Sequence, residues 1–321
     1  MIKYEPIRIE EIRAAQTRVS EELQPTPLVR FNGDDPSQEI YLKLENLQPI
    51  RAFKIRAAIN ALKTTDREKL RNGVWTVSAG NWAQGLAWAA RKLSVKCTCV
   101  VPENVPKIKE DSIRRLGADV VKVPFDVYLS VYSTRRLEGM EGTFIHAFSD
   151  RAVMVGNGTI GLEILERLPG VDAVVIPWGG GGLACGVASA IRALKPDTRV
   201  LVAEADTAAP LTAAFKAGGV PNDVPFTTSF VDGAGAPFVL PEMWDLAKGL
   251  VDGSIVVSLR EVVDAIRLLA ERHCVIAEGA GALSLAAVLS GKAGGGKIVC
   301  IVSGGNIDPS KLVKILQGQV P

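Results

Sequence analysis

The chain has 321 residues, 47% hydrophobic and 22% charged, with 37 Lys plus Arg against 35 Asp plus Glu. A chain of this make-up buries a large core as two closely packed domains or one large α/β unit, which excludes disorder. The near balance of charge leaves no footprint for a polyanion, so nucleic acid is not an expected partner.

The opening MIKYEPIRIEEIRAA mixes charge into its first turns and has no apolar stretch of the kind a secretory signal needs. No apolar run reaches the length of a membrane span, so no membrane association and a cytoplasmic location are expected. Cys97, Cys99, Cys185, Cys274 and Cys300 are an odd set lying mostly in apolar runs. They read as reduced core thiols rather than disulfides or metal ligands, and no metal is expected. Cys97 and Cys99 should point to the same face of one strand.

In chain order, YLKLENLQ is strand-like and PIRAFKIRAA opens a helix at Lys54. Then strands and helices alternate: GVWTV before a helix over Asn81–Leu93, CTCVV before Lys107–Leu116, ADVVKV before a helix through the 130s, and TFI at Phe144. A second series follows, with a helix over Gly158–Leu168, strand DAVVIP, helix Gly182–Leu194 and strand RVLVAEA. It continues with helices at Glu242–Lys248, Glu261–His273 and GALSLAAVLSG, strand KIVCIV and helix Pro309–Leu316. The alternation predicts an α/β fold with parallel-rich twisted sheets covered by helices, and the nearly continuous apolar strands predict cover on both faces. Gly219–Phe238 is long and aperiodic, which marks an active-site loop. With no linker or repeat, a second domain must pack on the first and a ligand should lie between them.

DAVVIP runs into Trp178 and then Gly179, Gly180, Gly181 and Gly182 before a helix starting near Leu183. Consecutive glycines at a helix N-terminus leave amides open to an anion, and this loop reads as a phosphate cradle. It also fits G-x-G-x-x-A through Ala184, with Glu204 ending the next strand, so an NAD-dependent dehydrogenase using the Gly179–Gly182 loop competes. Lys54 with Phe53 beside it reads in isolation as a solvated lysine. Strand GVWTV ends in Ser78-Ala79-Gly80-Asn81-Trp82-Ala83-Gln84-Gly85, whose turn offers donors to a carboxylate or ring oxygen, or forms a simple helix cap.

Taken together, these segments resemble the fold-type II pyridoxal-phosphate (PLP) enzymes, specifically the serine/threonine dehydratase and serine racemase group. The likeness rests on Phe53–Arg56 (F-K-I-R), Ser78–Gly85 (S-A-G-N-x-A-Q-G), Gly156–Ile164, the tetraglycine loop, Ala277–Ala282 (A-E-G-A-G-A) and Val302–Asn306 (V-S-G-G-N), all in the group's order. It implies a two-domain, tryptophan synthase β-like fold, with residues 73–147 as the small domain and 1–72 plus 148–321 as the large PLP-binding domain. It also implies a Schiff base on Lys54, phosphate on Gly179–Gly182 and Leu183, Asn81 on the cofactor's phenolic oxygen, and Ser303 at the pyridine nitrogen, with Phe53 alongside. The substrate carboxylate would be held by Ser78 and the turn through Ala79, Gly80, Asn81, Trp82 and Gln84. Lys54 and Ser78 are the expected catalytic pair, and a homodimer is implied.

A neutral hydroxyl at the ring nitrogen weakens the electron sink and favours prompt loss of a β-leaving group. The expected reaction is dehydration of a β-hydroxy-α-amino acid to a 2-oxo acid and ammonia, with the cofactor phosphate as the acid that the resemblance suggests. An amino-acid racemase or β-replacement synthase is the alternative within the class, and an amino-acid sensor is disfavoured by the intact Lys54. Trp82 stands where the dehydratases usually carry His, which suggests a bulky, phenylserine-like β-substituent, or a residue that merely fills space. Ala79 stands where racemases carry a second Ser. Glu204 matches the group's cation-site glutamate, but Pro210 replaces the expected Asp, arguing against a divalent ion. Arg51-Ala52 replaces a common Gly-Ser. His146 reads as structural, and His273 as a helix C-terminal residue. The close of the chain after VSGGN suggests a catabolic enzyme without a regulatory domain.

Overall fold

In a computed structural model of the chain, residues 5–35 and 38–321 are described. Residues 1–4 of the segment read above as lacking a signal lie outside them. Helix α1 (Ile9–Ser20) precedes strands β1 (Leu28–Arg30) and β2 (Glu39–Leu44), a 3-10 turn (Glu45–Leu47), α2 (Lys54–Thr64) and α3 (Arg67–Leu70). Then come β3 (Val74–Val77), α4 (Asn81–Lys92), β4 (Cys97–Pro102), α5 (Lys107–Arg115), β5 (Asp119–Val123), α6 (Phe125–Thr134) and β6 (Thr143–Phe144). The remainder is α7 (Arg151–Arg167), β7 (Ala173–Pro177), α8 (Gly182–Leu194), β8 (Arg199–Ala205), α9 (Pro210–Ala217), α10 (Pro241–Leu250), β9 (Gly253–Val257), α11 (Leu259–His273), α12 (Gly279–Leu289), β10 (Lys297–Val302) and α13 (Pro309–Leu316). No helix among the described residues is long and apolar enough to cross a membrane.

The strands form two sheets, β1-β2-β10-β7-β8-β9 and β5-β4-β3-β6. Only β1 with β2 is antiparallel; the other described pairings are parallel. Every residue of β3 and β7 is buried, as is all of β10 beyond Lys297. Helices on both faces explain why these strands read as unbroken apolar runs.

Helices α1, α3 and α9 and strand β1 were not anticipated, and three further elements differ from expectation. The helix expected through the 130s ends at Thr134, where Arg135 turns into the left-handed region at φ 55°. Helix α7 begins at Arg151 rather than Gly158, because the apolar RAVMVGN segment is buried as its first turns. The five-residue β9 was not anticipated; it pairs in parallel with β8 at the sheet edge.

The glycines of the Gly156–Ile164 segment serve packing. A Cβ on Gly156 would lie 2.8 Å from Ala57 Cα, and one on Gly158 would lie 3.0 Å from the Gly186 carbonyl oxygen, so α7 touches α2 and α8 almost backbone to backbone. Where α2 and α7 meet the end of β2, an ionic cluster is buried. Arg56 Nε and Nη2 donate to the Glu45 carboxylate at 2.8 and 2.9 Å, and Nη1 and Nη2 to Glu163 at 2.5 and 2.9 Å. Lys43 Nζ pairs with Glu163 and donates to the Thr26 carbonyl, while the Thr26 hydroxyl donates to Glu45 at 2.5 Å. Two cations thus meet two carboxylates, and Arg56 anchors α2 two residues beyond Lys54.

Candidate active site

Lys54 opens α2, ten residues after β2 ends. The segment ahead of it is stitched to the end of β10: Phe53 N–H donates to the Ser303 carbonyl at 3.0 Å, Gly305 N–H to the Arg51 carbonyl at 2.8 Å, and Ala52 bridges Gly304. Arg51 holds a left-handed backbone at φ 58°, the conformation that the glycine common at this place adopts freely. Lys54 Nζ donates to the Ala147 carbonyl at 2.9 Å and faces the rings of Phe53 and Trp82 at 5.1 and 5.8 Å. Enclosure by protein, with no carboxylate beside it, lowers its pKa to about 8.

Strand β3 delivers the Ser78 turn to the same place. Ser78 is buried and its Oγ accepts from Gly80 N–H at 3.2 Å, while Ala79 and Gly80 keep partial exposure and α4 begins at Asn81. A helix start leaves its first amides without intrahelical partners, so this turn can receive an anion. Gly85 lets α4 press on α2, since a Cβ there would sit 3.1 Å from the Lys54 carbonyl oxygen. Gln84 is buried in α4. Trp82, expected to meet a bulky β-substituent or to fill space, does the latter: it is 2% exposed and its Nε1–H donates inward to Thr76 Oγ1 at 2.7 Å.

On the other side, β7 runs into the tetraglycine loop and α8. Gly181 has φ +87°, and a side chain on Gly180 would strike the ring of Phe148. No acceptor among the described residues takes the amide hydrogens of Gly180, Gly181, Gly182 or Leu183. Gly179 is partly exposed and Leu183 buried behind the loop.

The structure brings together residues that carried no role in the sequence reading. Asn306 Nδ2 donates to the Ile50 carbonyl at 2.8 Å and to Asn81 Oδ1 at 2.7 Å, and Asn81 Nδ2 donates to Glu278 Oε1 at 2.6 Å. Burial and then the nearby Asp232 charge push Glu278 up to about 7. Ser303 Oγ, buried at the end of β10, donates to the Ala280 carbonyl at 3.4 Å. From α6, Tyr128 and Tyr132 pair hydroxyls at 3.1 Å, Tyr132 stacks on Phe148 at 5.9 Å, and the backbone amide of Ala79 acts on the Tyr128 hydroxyl. Ion pairs cross between the elements of the two sheets, Lys109 with Asp232 at 2.7 Å and Arg135 with Glu242 at 3.7 Å. Glu278 and Asn306 sit inside the quoted A-E-G-A-G-A and V-S-G-G-N motifs, whereas nothing in the spacing of Tyr128 and Tyr132 set them apart from core aromatics.

Other candidates fall away from the cluster. His146 is fully buried; its Nδ1 accepts from the Phe148 and Ser149 amides and its Nε2 meets the Tyr132 carbonyl at 3.1 Å, which makes it a neutral structural residue. His273 ends α11, stacks on Phe31 and accepts from Asn32 N–H at 3.0 Å. Glu204 receives the Leu211 and Thr212 amides and the Thr212 and Ser254 hydroxyls, so its buried carboxylate is engaged in capping α9. That removes the acidic partner the NAD reading needed.

Comparison with known proteins agrees with this geometry. Residues 19–304 match the family described as pyridoxal-phosphate dependent enzyme. The L-threonine ammonia-lyase of Thermotoga maritima is 36% identical over 97% of this chain and 78% of its own length. The catabolic L-threonine dehydratase of Escherichia coli strain K12 is also 36% identical, over 97% of this chain and 96% of its own. The structure of maize serine racemase superposes with a TM-score of 0.89 at 33% identity, covering 98% of both chains. The chain belongs to the pyridoxal-phosphate dependent enzymes, within their threonine/serine dehydratase and serine racemase group. Its residues fit the cofactor: a lysine of depressed pKa donates to the Ala147 carbonyl, and the adjoining Phe148 packs on a loop of unpartnered amides where only glycine fits at positions 180 and 182.

Proposed function

We propose that the protein is a dehydratase that converts a β-hydroxy-α-amino acid to a 2-oxo acid and ammonia. The observation that carries this reading is that Lys54 is an amine of lowered pKa while the turn after β3 holds Ala79, a residue with no proton to give. Ala79 cannot return a proton removed by Lys54 in the way that the second Ser of the racemases would.

Pyridoxal phosphate, when bound, supplies an electron-withdrawing ring that makes the Cα–H bond of an attached amino acid acidic. Lys54 would carry the cofactor and, once freed by the substrate, take the Cα proton as a base. With the Cα proton held on Lys54, the Cβ–O bond would break as the Cα–Cβ double bond forms, and Lys54 would pass that proton to the leaving hydroxide, so that water departs. The released enamine tautomerises and is hydrolysed in solution to the 2-oxo acid and ammonia. Gly179–Gly182 and Leu183 would hold the phosphate by their amides, Ser78 and the turn through Gln84 the substrate carboxylate, and Asn81 the phenolic oxygen. Ser303 would stand at the ring nitrogen as a neutral partner, with Phe53 beside Lys54. Residues 73–147 would form a small unit closing on the remainder, and the partly exposed Tyr128, Tyr132 and Phe148 favour a substrate with a large apolar β-substituent over Ser or Thr.

Ser, Thr, 3-hydroxyaspartate and phenylserine isomers, each incubated with the holoenzyme, test the reading through 2-oxo acid, ammonia and the enantiomeric composition of remaining substrate. Stoichiometric oxo acid and ammonia, fastest with a phenylserine, are expected. Interconversion of enantiomers without ammonia would reject the dehydratase, and Thr turnover far above phenylserine would reject the aromatic preference alone.

A further inference from the structure

We propose that Glu278 is a positioning residue that acts through Asn81, setting how strongly the Asn81 amide can hold the phenolic oxygen of bound pyridoxal phosphate. This rests on the placement of Asn81 at that oxygen and is independent of the substrate.

The argument begins with a carbonyl. Ile50 O can only accept, so the atom of Asn306 facing it is Nδ2, and the same nitrogen meets Asn81 at 2.7 Å. Asn81 must therefore turn its Oδ1 to Asn306 and its Nδ2 to Glu278, 2.6 Å away. The amide orientation is fixed by the network and leaves one N–H of Asn81 free to point elsewhere. Glu278 is itself held: its N–H donates to the Gly304 carbonyl at 3.1 Å, and a side chain on Gly304 would strike its Oε1. The charged groups facing it are Asp232 from the loop before α10 and Lys109 from α5, with Asn81 and the Asn306 backbone as hydrogen-bond partners.

An amide that gives one N–H to an anion becomes a poorer donor through the other, and a negative charge one amide away also opposes a phenolate. Both effects have the same sign. Ionised Glu278 weakens the hold on the phenolic oxygen in its anionic form; protonated Glu278 restores it.

The bound cofactor reports this in its own spectrum, through the balance of its long-wavelength, phenolate-like band and its short-wavelength, neutral-phenol band. In the wild-type holoenzyme, the long-wavelength band should lose intensity to the other as pH rises, with a midpoint near the Glu278 value of about 7. That is opposite in sense to simple ionisation of a phenol. Glu278→Gln keeps an acceptor for Asn81 but cannot titrate, so the balance should become flat from about pH 6 to about pH 8. Asp232→Asn removes the neighbouring negative charge and should lower the midpoint by about half a unit or more. A wild-type balance that is flat or moves the other way, a Glu278→Gln enzyme that still titrates, or an unmoved midpoint in Asp232→Asn would each overturn the proposal. If Glu278→Gln does not fold, Asp232→Asn decides. Asn81→Ala separates the two layers: bands unmoved by it would also remove Asn81 from the phenolic oxygen, whereas bands that shift while Glu278→Gln still titrates discard Glu278 alone.

Discussion

The indole N–H of Trp82 donates to the hydroxyl oxygen of Thr76 at 2.7 Å, and that hydroxyl donates in turn to the Ile145 carbonyl at 2.7 Å. The pair turns Trp82 into the core beneath Lys54. Thr76→Val leaves a buried indole N–H and a buried carbonyl without partners and should destabilise by about 1–3 kcal/mol. Trp82→Phe keeps the Thr76–Ile145 bond and should cost less than Trp82→Ala. In a double-mutant cycle followed by urea denaturation, Thr76→Val should cost less in the Trp82→Phe background than in the wild type; strict additivity would remove the coupling.

Lys54 titrates far below an ordinary lysine because burial penalises its ammonium, and only the neutral amine attacks an aldehyde. Its pKa of about 8 predicts that the rate at which apoprotein captures pyridoxal phosphate rises with pH to a plateau just above that value, instead of climbing through the usual lysine range. Stopped-flow absorbance reads it, and Lys54→Ala should abolish the borohydride-stable label.

Arg56 and Glu163 form the centre of the buried ionic cluster. Glu163→Ala leaves two buried cations, Arg56 and Lys43, to share the single carboxylate of Glu45, and should cost about 3–5 kcal/mol. Since Arg56 follows Lys54 by two residues, cofactor affinity should fall along with the melting temperature. Equilibrium dialysis against the cofactor at a temperature where the variant stays folded separates the two effects.

His146 is held down to about 3 by burial and then by Arg135. Its folded pKa lies below the unfolded one, so between the two the unfolded chain binds the extra proton, and stability must fall as the pH drops from about 6.5 toward 3. His146→Asn should flatten that part of the acid-denaturation curve, measured by fluorescence-detected melts across the range.

Strands and helices with strong periodicity were legible in the sequence: the boundaries of α8, β8, β10 and α13 match their expected spans to the residue. Helix α7 was cut short because its N-terminal half is buried all round and so carries no amphipathic stripe to read. Edge strand β9 was missed because five residues between two helices give too little alternation. Within the cluster, Lys54, Ser78, Asn81 and the glycine loop stood out through motifs. The hydrogen bonds joining Asn81 to Glu278 and Asn306 did not, since they link residues 197 and 225 positions apart that only the folded chain makes neighbours. The direction of Trp82 was likewise invisible, because it depends on one hydroxyl on the adjoining strand.

The Lys109–Asp232 and Arg135–Glu242 pairs have a consequence for traffic. Both pairs tie elements of the smaller sheet to elements of the larger one, so parting them frees one side to move against the other, and the first is about two-fifths exposed to solvent at each partner. Dissolved ions screen such exposed attractions. Added neutral salt should therefore speed turnover at low amino-acid concentration while leaving the saturated rate nearly constant, and Lys109→Ala should blunt that acceleration.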